Sequence, residues 1–194
     1  TIDEWRTGTN IATEIGWEHY ETRKRKLQSL AYDDVRDQTR LGSQHAILAC
    51  FQAAQALKGV DERNQQGRNY SKPEFTAPTV KYDANTMTLF DDNTVSLATT
   101  DSRVRCELLL PDDEDGYQYQ YLDSDEWEVT ESTLTAGDGD YYLHLGFRKP
   151  TPDTDESPAE DRTVLGVDLG IENLAVTSTA HFESGQELLH EHRE

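Results

Sequence analysis

The sequence predicts an α+β fold, a helical hairpin or small bundle followed by an antiparallel β-barrel or strongly twisted sheet. Three observations point there. Apolar residues recur at three- and four-residue spacing as far as Lys58, the apolar period changes to two at Thr79, and a three-proline acidic stretch at 149–161 interrupts the strands. A chain of 194 residues suits one ordinary domain or two small ones. The pattern divides it into a helical part with a connecting basic loop (1–78), a β-barrel (79–148), a linker (149–161) and a last strand-rich segment (162–194).

The elements follow in order. Thr9 or Asn10 is positioned to cap a helix over 11–30, with Ile11, Ile15, Tyr20, Leu27 and Leu30 as an imperfect stripe that Gly16 weakens. Residues 32–42 read as a helical turn and connection. Ser43 is positioned to cap a better helix over 44–58, in which Ile47, Cys50, Phe51, Ala54 and Leu57 share a face. His45 falls on the solvated rim of that helix and is assigned no chemistry. Residues 64–78 are polar, contain glycine and end at proline, as an ordered loop does. Strands are expected at 79–82, 86–90, 94–98, 103–110, 126–134 and 141–148, separated by Asp-, Asn- and Gly-rich turns. Tyr117, Tyr119 and Tyr121 alternate, giving either a stacking platform or a cover for the barrel. The 149–161 stretch holds too little apolar surface to fold.

Charge narrows the function classes. The chain carries 18 basic and 38 acidic side chains, net -20. Such an acidic surface fits either a high-salt cytoplasm, where ions screen self-repulsion, or a basic partner. Residues 1–80 are neutral overall, with 11 basic and 11 acidic side chains, whereas 81–194 hold 7 against 27. A nucleic-acid surface would therefore draw on the first part, above all the run Arg23, Lys24, Arg25 and Lys26, with help from Arg36, Arg40, Arg63, Arg68 and Lys72. The plainer reading of a four-residue basic run is a solvated helix face. No 18-residue apolar run and no basic-then-apolar leader is present, and the two cysteines, Cys50 and Cys106, form no C-x-x-C. These features lead to an expectation of a cytoplasmic protein with no membrane partner and no zinc ribbon; oligomeric state is left open.

The run V-L-G-V-D-L-G-I-E-N-L-A-V at 164–176 carries Asp168 out of a strand and into a tight reversal. A carboxylate so placed is suited to hold a divalent cation against phosphate oxygens. The competing reading is a strand-end Asp before an ordinary turn.

This run resembles the first catalytic segment of the RuvC-like nuclease domain of TnpB (OrfB) transposon proteins, of the IS605/IS1341 group and related to type V CRISPR nucleases. Other segments agree in order: Gly67 to Phe75 with Arg68, Lys72 and Pro73 resembles the basic entry to the family's barrel, then come T-V-K-Y-D, the Asp101 to Val104 turn and strand, and D-Y-Y-L-H-L from Asp140. The acidic composition resembles haloarchaeal members. The resemblance implies a wedge-type, OB-like barrel with a helical insertion, followed by the first strands of a ribonuclease-H-like (RuvC) domain. It implies guide RNA and target DNA as partners, Mg2+ as cofactor, and Asp168 as the first catalytic and metal-binding carboxylate of a two-metal DNA endonuclease. The family's later Glu, its zinc ribbon and its final Asp have no counterpart in this sequence, and Glu172, Glu183 and Glu187 lie too near Asp168 to match. The expectation is therefore an N-terminal part of such a protein, inactive as a nuclease by itself. Two alternatives are a catalytically inactive RNA- or DNA-binding remnant or regulator, and an ATPase or sugar-kinase fragment of the Hsp70-like class, whose D-x-G phosphate loop resembles G-V-D-L-G.

Overall fold

A computed structural model describes residues 1–67, 71–111 and 116–150, and the backbone of three strands after residue 150. It is a mixed α+β fold in two compact units, Thr1–Pro150 and Thr151–Glu194. The first unit opens with three helices packed on one another: α1 (Ile2–Glu18), α2 (Lys24–Gln38) and α3 (Ser43–Gln65).

The single helix expected over 11–30 is thus two; residues 32–38 extend α2 to Gln38, and 39–42 are the connection that was expected. Thr9 and Asn10 are no caps. Thr9 is buried mid-helix, its Oγ1 donating to Trp5 O (2.8 Å), and Thr13 does the same to Thr9 O (2.7 Å). The break comes at Tyr20, which takes φ 51° while Glu21 N donates to Gly16 O (2.9 Å) and Tyr20 N to Trp17 O (3.3 Å). This is the left-handed helix ending that glycine usually supplies. A tyrosine accepts the left-handed backbone here with its side chain 94% exposed, so nothing in the residue's type announces the stop. Gly16 has a different task from the one its propensity suggests. A Cβ there would lie 2.4 Å from Leu57 Cδ1 and 3.0 Å from Leu27 Cδ1, so the glycine is what lets α1 approach both other helices. Gly8 does likewise against Leu41 and Val35, with hypothetical Cβ distances of 2.9 and 3.1 Å.

Helix α3 is longer than its apolar stripe. Its buried residues include Ala46, Ala49, Ala53 and Ala54 besides Leu48, Cys50 and Leu57, because both α1 and the first strand cover it. Burial raises the Cys50 thiol to about 12, leaving it an inert packing group.

The strands of the first unit are β1 (Thr79–Tyr82), β2 (Met87–Leu89), β3 (Thr94–Ala98), β4 (Arg103–Glu107), β5 (Glu128–Val129), β6 (Ser132–Gly137), β7 (Asp140–His144) and β8 (Phe147–Arg148). They form three antiparallel sheets in the orders β1-β6-β7, β2-β3-β4 and β5-β8. The two long strands expected at 126–134 and 141–148 are each broken in two. The ladder pairs Val129 with Phe147 but Thr133 with His144, so one extra residue sits on the first strand between them. Gly146 marks the corner: its O accepts from Thr130 N (2.7 Å), its N donates to Ser132 Oγ (3.2 Å), and a Cβ would stand 2.5 Å from Glu131 O. The alternating tyrosines form no strand. A helical turn, α4 (Tyr119–Leu122), places Tyr117 and Tyr121 four residues apart with their hydroxyls 2.8 Å from one another.

One apolar cluster unites helices and sheet: Trp5, Ala12, Leu27, Val35, Leu57, Val80, Tyr82, Met87, Val95 and Leu97 belong to it. Phe75 is anchored to α1 by a two-point bond, Asn10 Nδ2 to Phe75 O (2.9 Å) and Phe75 N to Asn10 Oδ1 (2.8 Å). In the second unit β9 (Val167–Asp168), β10 (Asn173–Thr177) and β11 (Phe182–Ser184) form an antiparallel sheet with β10 central. Among the described residues no helix is long and apolar enough to cross a membrane.

Candidate nucleic-acid interface

The basic run begins α2. Arg23 holds the N-cap position with extended backbone, and Lys24, Arg25 and Lys26 make the first turn, which contains no acidic residue. The acidic residues of α2 (Asp33, Asp34 and Asp37) lie at the other end, among them Arg36. That order runs against the helix dipole, which favours anions at the N-terminus and cations at the C-terminus. Four exposed basic side chains and the unpaired amides of a first turn together attract phosphate. The arrangement is thus unfavourable for the isolated helix and favourable for an anionic ligand.

The four side chains differ in freedom. Arg23 is occupied: its Nε and Nη2 donate to Glu21 at 2.8 and 2.7 Å, and its backbone N adds a third bond at 2.9 Å. These bonds hold the Glu21 carboxyl down at about 2. Lys24 Nζ lies 5.7 Å from the centre of the Phe51 ring. Arg25 and Lys26 make no hydrogen bond or ion pair among the described residues. Arg25 borders an open hollow of about 330 Å³ with Gln28, Ser29, Tyr32 and Asp33.

Most other cations are bound to carboxylates or carbonyls. Arg40 pairs with Glu4 and Asp101, Arg105 with Asp92, Arg148 with Glu128 and Lys149 with Glu126. Arg103 donates to Ser96, Thr88 and Asn85 O. Lys72 is paired with Glu14 of α1, whereas Arg25 and Lys26 form no direct ion pair among the described residues, Lys26 acting on the Glu21 carboxylate only at longer range. Arg68 lies outside the described residues.

Asp168 ends β9 opposite Val176 of β10, and Val176 in turn faces Phe182 of β11. Glu183 stands opposite Ala175, one register position away from that row, while Glu172 and Glu187 lie outside the described residues. No group of three or more His, Cys, Asp or Glu able to hold a metal occurs among the described residues. Mg2+ demands near-octahedral oxygen coordination and sheds water reluctantly, so a single carboxylate does not fit it. Among the described residues no catalytic step through a metal follows.

The aromatic cluster is real but differently built from a row of alternating rings. Tyr121 stacks on Phe147 (5.4 Å between centroids) and meets Tyr117 and Trp127 at 5.1 and 5.0 Å, while Lys149 Nζ lies 5.8 Å from the Trp127 ring. These rings pack on one another, and Asp123, Asp125, Glu126 and Glu128 flank Tyr121 and Trp127 in sequence, a poor setting for phosphate.

His45 is not where its place in the sequence predicts. It is 2% exposed, not on a solvated rim, and its Nε2 has no partner among the described residues. The signal was present in the alanines: Ala46, Ala49 and Ala53 widen the buried arc of α3 until it includes position 45.

No protein-family model matches this chain, and no curated protein matches it.

Proposed function

We propose that this chain is a nucleic-acid-gripping part of a TnpB-type, RNA-guided DNA endonuclease, with the helical bundle and basic turn engaging structured RNA. The observation that carries the reading is the pair Arg25 and Lys26, free of ion pairs at a helix N-terminus while most cations elsewhere are compensated. The resemblance of 164–176 to the opening RuvC segment, and the order of the matching segments before it, support the same assignment. In it the strands of 79–148 form a wedge-type, OB-like barrel, the sheet β9–β11 opens a ribonuclease-H-like domain, and Asp168 is the first metal carboxylate of a site completed by residues this chain does not contain. Guide RNA and target DNA are the proposed partners and Mg2+ the proposed cofactor of the completed site.

Backbone contacts dominate such binding, so affinity should fall steeply with salt. Filter binding of a structured RNA across a KCl series is the test. Making Lys24, Arg25 and Lys26 all Ala is expected to remove about three phosphate contacts and flatten the slope of log affinity against log salt by about two to three. Arg23 and Lys72, already paired with Glu21 and Glu14, should matter less. An unchanged slope in the triple variant would discard the interface. With Mg2+ present the 194-residue chain should leave DNA uncut, and cleavage that Asp168→Ala abolishes would show that its own residues suffice for a site.

A further inference from the structure

His45 lies where the helical bundle meets the sheet. It occupies the first turn of α3, in T-shaped contact with Trp5 of α1 (6.2 Å between centroids) and Tyr82 of β1 (5.2 Å). Its Nε2 is buried and unpartnered among the described residues. Two charged groups act on the ring: the Asp83 carboxylate just after β1, which favours its protonation, and the Thr1 amino group at the start of α1, which opposes it. Tyr82 stays neutral, burial holding its hydroxyl up at about 12.

Asp83 is not available as a counter-ion. Its carboxylate accepts from Gln44 Nε2 (2.5 Å), Thr86 Oγ1 (2.9 Å), Thr86 N (3.0 Å) and Asn85 N (3.0 Å). The bond from Gln44 ties the β1–β2 turn to the first turn of α3, and the other three close the turn itself. Reaching His45 would mean leaving them. A charged imidazole at this position would have two aromatic rings for neighbours and no anion bonded to it, which a buried cation tolerates poorly.

We propose that His45 is an acid-sensitive lock between the helical bundle and the β1–β2 turn: neutral, it seals the Trp5–Tyr82 junction, and protonated, it opens that junction and frees the turn carrying Asp83. The direction follows from linkage. Burial lowers the His45 pKa below its ordinary 6.5, so the unfolded or opened chain takes up the proton first. The stability this group contributes is fully present above about pH 6.5 and is lost as pH falls towards the folded value. Asp83 acts in a separate window. Burial raises its pKa, but the bonds from Thr86, Gln44 and Asn85 outweigh that and hold it below its ordinary 3.8, so its contribution is lost only at lower pH.

The test is a ring-resonance NMR titration of His45 in the whole chain, with amide hydrogen exchange followed from about pH 7.5 to about pH 5 and corrected for intrinsic rates. His45 should titrate below 6.5, and opening of residues 43–46 and 82–87 should rise by up to about tenfold per pH unit once below that value, ahead of mid-α2. In His45→Phe, which keeps a ring and cannot titrate, the acid-dependent opening should vanish. If His45→Phe does not fold, the wild-type data decide alone. Titration of His45 at or above 6.5, exchange that accelerates uniformly through α2, or the same acid response in a folded His45→Phe would each overturn the lock.

Discussion

Raising KCl from about 0.1 M to about 2 M is expected to make this chain harder to unfold by a few kcal/mol, most of it gained in the first half molar. Charge is segregated along the fold. Residues 1–80, which contain the three helices, balance 11 basic against 11 acidic side chains, while 81–150, which hold seven of the first unit's eight strands, carry 5 against 16. Two unit charges 12 Å apart in water repel by about 0.3 kcal/mol, and dozens of such pairs accumulate on a small surface. At 0.1 M salt the screening length is about 10 Å, so much of that repulsion survives, whereas at 1 M it is about 3 Å. Salt also weakens the favourable pairs, such as Arg105–Asp92 and Arg148–Glu128, but exposed pairs of that kind are worth about 0–1 kcal/mol each. Excess repulsion therefore wins. Urea unfolding at several KCl concentrations measures the effect, and a midpoint that stays flat or falls would mean that ion pairing, not self-repulsion, governs the surface.

The same segregation shapes any nucleic-acid contact. The basic turn of α2 belongs to the neutral bundle, and the acidic strands would repel a phosphate backbone that strayed onto them. Salt is thus expected to act in opposite directions on folding and on the proposed RNA affinity, and a binding series must be read at salt concentrations where the chain is fully folded.

What the sequence disclosed depended on which physical signal each element carried. α3 was legible because apolar residues recur along it at helical spacing, and β1 and β3 because they are bounded by Asp- and Asn-rich turns. The α1–α2 boundary was not, since the chain reverses at Tyr20 rather than at a glycine. Gly16, read as a weak point of a helix, is a packing contact: propensity describes an exposed helix, whereas here Leu27 and Leu57 occupy the space a side chain would need. The broken hairpin of β5–β8 was hidden because a one-residue bulge leaves local alternation intact on either side, and only Gly146 hints at the corner. Of the site, the basic run could be read directly, but which of its members are free could not. Pairing of Arg23 with Glu21 is local, whereas Lys72 with Glu14 spans the fold. His45 was misjudged for a related reason. The alanines of α3 widen its buried arc to position 45, but Trp5 and Tyr82, which complete the burial, lie some 40 residues away in sequence, outside any window around α3.

Tyr82→Ala should cost the chain about 3–5 kcal/mol, a large part of the stability typical of a domain of this size. Tyr82 is 1% exposed, packs on His45 and shares the core with Val80, Met87 and Leu97, so truncation leaves a cavity where helices and sheet meet. Its hydroxyl adds less: one bond to Ala98 O at 3.2 Å, so Tyr82→Phe should lose only about 1 kcal/mol. Leu109→Ala, at a side chain 97% exposed, should lie within about 0.5 kcal/mol of wild type and serves as the control. Urea unfolding followed by tryptophan fluorescence is suited to the comparison because Trp5 contacts His45 across the same junction. The alanine variant bears on the acid response as well. Water admitted beside His45 would solvate the imidazolium, so the stability lost between about pH 6.5 and about pH 5 should shrink in Tyr82→Ala while Tyr82→Phe keeps it. A loss below about 1 kcal/mol in Tyr82→Ala would show that helices and sheet do not depend on one another through this core. A full loss of stability with the acid response unchanged would instead separate packing at the junction from protonation of His45.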